Sequence, residues 1–75
     1  MENYQNLNGN SDIQNFEILD EEITIQFANG EAYRYTYQSA GKDNIEEMKK
    51  LASSGKGLRN FINNEVKHFY HSRLD

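Results

Sequence analysis

Two stretches of alternating apolar and polar residues flank an Asn-Gly dipeptide, and this feature constrains the fold more than any other. Ile23-Thr24-Ile25-Gln26-Phe27 precedes Asn29-Gly30, and Tyr33-Arg34-Tyr35-Thr36-Tyr37 follows it. Alternation with period two marks a half-buried strand, and Asn-Gly between two such runs marks a hairpin turn. The loop length follows from which face each register buries. A two-residue loop, Asn29-Gly30, sets Ile25 opposite Arg34 and Ile23 opposite Thr36, an aliphatic face against polar partners. A three-residue loop, Ala28-Asn29-Gly30, with Gly30 in the left-handed region, sets Ile25 opposite Tyr33 and Ile23 opposite Tyr35. Slipping by one residue flips every side chain, so the second register is expected. It gathers Ile23, Ile25, Phe27, Tyr33 and Tyr35 on one face, where aromatic and β-branched pairs reinforce each other.

A hairpin cannot stand alone in water, so its apolar face needs a cover. Upstream, Phe16-Glu17-Ile18-Leu19 begins a further strand, closed by the acidic turn Asp20-Glu21. Downstream, Gln38-Ser39-Ala40-Gly41-Lys42 reads as a loop. Ile45, Met48, Leu51 and Ala52 then recur at helical spacing, with Asp43 or Asn44 as cap and Gly55 as stop. Glu46 and Glu47 near the start of that helix, and Lys49 and Lys50 near its end, suit its dipole. A second helix carries Leu58, Phe61, Ile62, Val66 and Phe69 on one stripe, while Arg59, Asn60, Asn63, Asn64 and Lys67 face away. Glu65 falls inside the apolar arc and is expected at its rim. The expectation is an α+β fold: a β-hairpin or three-stranded antiparallel meander followed by two short amphipathic helices packed on one face.

Residues 1–14 are rich in Asn, Gln, Ser and Gly, with isolated Tyr4, Leu7 and Ile13. That composition buries too little to offset the entropy of ordering, so a disordered tail is expected there and a single domain over 15–75. With 75 residues and no cysteine, the chain has neither a disulfide framework nor a thiolate metal site. No apolar run is long enough to span a membrane, and the start lacks a signal-peptide pattern, so a cytoplasmic location is expected.

The net charge of −4 is unevenly spread. All eight Lys and Arg lie after residue 31, where five acids lie; the first 31 residues hold the other seven acids. Ordinary solvated surface accounts for this. The sharper reading is a bipolar domain whose helical end meets an anion such as phosphate.

Enzyme signatures fail one by one. Ser53-Ser54-Gly55-Lys56-Gly57 resembles a phosphate loop, but Lys50 and Gly57 stand where a Walker motif needs Gly and Ser or Thr. What survives is a simpler idea, free amides at the start of the second helix beside Lys56 and Arg59, against the plainer one that two glycines make a tight turn. Glu65, His68 and His71 share one helix face, but a carboxylate-bridged metal site needs a second such motif. No nucleophile elbow appears, so no catalytic residue, cofactor or metal is expected. The exposed polar face of the second helix also invites a helix-turn-helix reading, although the preceding acidic strands are not typical of that class. The three tyrosines at 33, 35 and 37 suit base stacking, but also suit a strand whose face is covered, leaving Tyr37 the most open.

The segment Phe27-Ala28-Asn29-Gly30-Glu31-Ala32-Tyr33-Arg34-Tyr35 and the later Ser53-Ser54-Gly55-Lys56, running into Leu58 and Ile62, resemble the KTSC domain. That family is named for its occurrence at the C-terminus of some lysyl-tRNA synthetases and also occurs as a stand-alone bacterial protein. The resemblance covers roughly residues 16–70, with Gly30, Tyr33, Tyr35, Ser53 and Gly55 as its motif positions. Members often carry a Pro-containing loop after Tyr-x-Tyr, whereas this chain has Gln38 to Lys42 and no Pro. The resemblance implies the fold and, through the synthetase context, weak binding of RNA or other nucleic acid. Arg34, Lys56, Arg59, Asn63 and Lys67 are the candidate contacts. The alternative is a protein–protein interaction or structural module acting through the sheet edge or the acidic hairpin.

Overall fold

The computed structural model describes residues 1–9 and 11–74. Its frame is an antiparallel meander in the order β1-β2-β3-β4-β5. The strands are β1 (Glu2–Asn3), β2 (Ile13–Leu19), β3 (Glu22–Phe27), β4 (Ala32–Thr36) and β5 (Ser72–Arg73). The β3–β4 register pairs Ile25 with Tyr33 and Ile23 with Tyr35, as face matching requires. Phe27 and Glu31 close a three-residue loop, with the Phe27 amide donating to the Glu31 carbonyl at 2.8 Å. Gly30 stands at φ 92°, the left-handed backbone that this loop demands.

The helices cover the face that carries Ile23 and Ile25, both fully buried. Helix α2 (Lys42–Ser54) presents Ile45, Met48 and Ala52 to the sheet and ends at Gly55, φ 80°. Helix α3 (Leu58–Phe61) runs directly into a π-helical segment, Ile62–Val66, and buries Leu58, Ile62 and Val66. These side chains, with Phe16, Phe27 and Tyr35, form one core.

Several local expectations are corrected. Part of the loop expected over 38–42 is a helical turn, α1 (Tyr37–Ala40), because Thr36 and Ser39 form a reciprocal capping box. Helix α2 therefore starts at Lys42, behind Gly41, and Asn44 does not cap it; its side-chain amide instead donates to the Ala40 carbonyl at 2.8 Å. The second helix stops at Val66, so Phe69, counted on its apolar stripe, is half exposed. Glu65 is exposed, in keeping with a rim position.

The largest difference is at the N-terminus. Of the residues expected to form a tail through position 14, Glu2, Asn3, Tyr4 and Leu7 are bonded to the domain, and β2 already begins at Ile13. Glu2 and Asn3 pair with Phe16 and Asn15, and the Tyr4 amide donates to the Gln14 carbonyl at 2.9 Å. Tyr4 is only 6% exposed, and Ile13 is buried beside it. Polar composition does not preclude this, since Asn6 closes the turn by exchanging two hydrogen bonds with the Ser11 backbone, 3.0 and 3.1 Å. The isolated apolar residues are thereby brought to the core rather than left in water.

Candidate nucleic-acid interface

A cleft of about 320 Å³ lies between the loop end of the β3–β4 hairpin and the second helix. That volume lies at the lower end of the range for small-molecule sites. Phe27, Tyr33, Tyr35 and Tyr70 supply aromatic surface, and Arg59, Asn63, Lys67 and His68 supply the polar rim. Arg59 and Asn63 reach the cleft from the second helix, and Lys67 from the residue that follows its end.

The aromatic walls touch one another. Phe27 meets Tyr33 edge to face at 5.7 Å between ring centres. Tyr70 lies against Tyr33 at 4.8 Å, tilted by 50°, and meets Tyr35 edge-on at 6.3 Å. The Arg59 guanidinium sits over the Phe27 ring at 4.7 Å and pairs with Asp12 at 3.1 Å. The Tyr33 hydroxyl donates to Glu31 at 3.2 Å, and Arg73 also binds that carboxylate while lying over the Tyr33 ring. Burial pushes the Tyr35 phenol up to about 12, and Arg59 only partly opposes it. Burial, then the hydrogen bond to Glu31, raises Tyr33 as well. Both rings are neutral at ordinary pH and add no negative charge to the cleft.

The five candidate contacts do not form one group. Arg59, Asn63 and Lys67 line the cleft. Lys56 lies past the other end of the helix, at a second cavity of about 130 Å³ shared with Tyr4, Asn6, Asn60 and Arg59. Arg59 borders both cavities, with Lys67 at the first and Lys56 at the second. Arg34 stands apart: its neighbour Tyr35 faces the core, so Arg34 points to the opposite side of the sheet and pairs with Glu22 at 3.0 Å.

The amides at the start of the second helix are not all open to an anion. The Leu58 amide donates to the Tyr4 hydroxyl at 3.4 Å, and the Leu7 amide donates to the Gly55 carbonyl at 2.8 Å, closing that end with the N-terminal segment. Of the motif positions, Gly30 shapes the loop, Tyr33 and Tyr35 line the cleft, and Gly55 ends α2, while Ser53 is exposed on its last turn. Tyr37 does not join the aromatic wall; its hydroxyl donates to Glu46 at 2.5 Å. Sequence reasoning missed Phe27, Tyr70 and Asp12 as cleft residues. Nothing in local spacing could have found Tyr70, because it arrives by a turn after the helix, whereas Phe27 was visible as the last inward residue of its strand.

Among the described residues, no group of three His, Cys, Asp or Glu side chains is placed to hold a metal ion. None of their helices is long and apolar enough to cross a membrane. No protein-family model matches the chain, and no curated protein or solved structure matches it either.

Proposed function

We propose that this protein is a non-catalytic, KTSC-like bacterial module, acting in the cytoplasm and binding single-stranded RNA weakly through the aromatic cleft. The carrying observation is the meeting of the partly open Tyr33 with Arg59, Asn63 and Lys67 around one cavity, backed by the buried rings of Tyr35 and Phe27. A base has a flat apolar face that stacks on tyrosine, and its flanking phosphates need cations a few ångströms away. Lys67 and Lys56, exposed at either end of the helix, carry the backbone path past Arg59. Affinity is low because Lys56, Arg59 and Lys67 are few cations for a phosphate backbone, and Asp12 and Glu31 repel phosphate unless Arg59 and Arg73 stay on them.

Ionic strength tests this directly. Each phosphate contact to a single strand contributes a log–log salt slope of about −0.7, so three contacts give roughly −2 for a short oligouridylate. Replacing Arg59 and Lys67 by Ala should remove about 1.4 of that slope. Arg34→Ala, on the far face, should leave it unchanged. A salt-independent affinity, or equal loss from Arg34→Ala, would transfer the activity elsewhere. The second reading, a protein-interaction module acting through the acidic hairpin, is favoured by Ile18 and Leu19, 36% and 48% exposed beside Asp20, Glu21 and Glu22.

A further inference from the structure

After Val66 the chain turns back along the free edge of β4. The His71 amide donates to the Arg34 carbonyl at 2.6 Å, the Leu74 amide to the Ala32 carbonyl at 2.7 Å, and Arg73 aligns with Tyr33. This return lays the Tyr70 ring against Tyr33 and Tyr35, inside the cleft.

We infer that Tyr70 is a built-in competitor for the cleft: its ring holds the place on Tyr33 that an RNA base takes, and it swings out when RNA binds. The inference rests on the reading of the cleft as an RNA site. The ring distance of 4.8 Å is that of an aromatic pair in contact; the 50° tilt leaves it short of parallel stacking, but the Tyr70 ring still occupies the space in front of Tyr33 that a base needs. The segment that delivers Tyr70 is weakly held. Its strand is two residues long, and the Ser72 hydroxyl is buried without a hydrogen-bond partner. Phe69, Tyr70 and Leu74 keep 52%, 39% and 41% of their surface in water, so little apolar burial holds them. The segment is anchored beyond Tyr70, where Arg73 binds Glu31. Tyr70 and the His71 amide can therefore lift while Arg73 stays, which keeps Glu31 neutralised when a phosphate approaches.

The test measures oligouridylate affinity of the full chain, of Tyr70→Ala and of Arg59→Ala, together with amide exchange in the unaltered protein. Removing the competing ring should tighten binding about two- to tenfold, the range that one aromatic pair implies. RNA should also speed exchange at His71 while leaving Leu74 protected. Exchange in the unaltered chain reads the movement even if the variant folds poorly. If Tyr70→Ala binds no tighter and His71 stays protected, while Arg59→Ala still lowers affinity, the cleft remains an RNA site but Tyr70 is a fixed wall. If neither the protein nor Tyr70→Ala binds the oligonucleotide, the cleft reading and the competitor fall together.

Discussion

Replacing Tyr4 by Ala probes the largest difference between composition and structure. The Tyr4 ring is 6% exposed and belongs to the core cluster, and its hydroxyl accepts from the Leu58 amide at 3.4 Å. Truncating a buried aromatic side chain costs about 3–5 kcal/mol, from lost transfer free energy and the cavity left behind. A chain of 75 residues has about 4–11 kcal/mol in total, so this one change removes a large share of it. For a domain this size each kcal/mol corresponds to about 4–8 °C, so the melting temperature should fall by roughly 12 °C or more. Tyr4→Phe keeps the ring but leaves the buried Leu58 amide without its acceptor, so it should cost about 1–3 kcal/mol, less than Tyr4→Ala. Urea denaturation of the three proteins, with the slope as a check that unfolding stays two-state, measures both differences. A loss below about 1 kcal/mol for Tyr4→Ala would refute the docking, because a solvated tail residue contributes nothing to the core.

Two further perturbations follow from particular geometries. Gly30 and Gly55 both have positive φ, but a Cβ at Gly30 meets open space, whereas one at Gly55 would stand 2.7 Å from Gln5 Cβ and 3.3 Å from Leu7 Cγ. Gly30→Ala should therefore cost only the backbone strain of about 1–2 kcal/mol, and Gly55→Ala visibly more in the same denaturation assay. Equal losses would mean that the N-terminal segment does not lie against Gly55. The Tyr37 phenol is pushed up to about 12, first by its hydrogen bond to Glu46 and then by burial, against an ordinary value of 10.0. Between those values the native state keeps a proton that the unfolded chain has lost, so stability falls as pH rises through about 10 to 12. Glu46 is held below its ordinary 4.5 by the Tyr37 hydroxyl and then Lys49, so its share is present above that value and is lost as pH drops through the folded value. Tyr37→Phe should remove one late-ionising ring from the tyrosinate absorbance titration and flatten both pH dependences. Loss of a ring that ionises near the ordinary 10.0 rather than late would rule out the pairing.

Where a side chain's fate depends on its immediate neighbours, the sequence determined it. The hairpin register is the clearest case: alternation with period two leaves two choices, and only one puts Ile23 and Ile25 beside tyrosines. Helix α2 was equally legible, since Ile45, Met48 and Ala52 repeat at helical spacing and Gly55 can take the left-handed stop. The capping box of Thr36 and Ser39 was also written locally but was masked by the loop-like residues around it. Tertiary structure alone decided the rest. Tyr4 has no local partner, so only β2 and the start of the second helix could make its burial favourable. Arg34 and Arg59 look alike in sequence, yet the parity of a strand sends one to the far face, and the phase of a helix sets the other over Phe27. Tyr70 enters the cleft because the chain reverses after Val66 and finds β4's open edge, a long-range pairing that no short window of residues encodes.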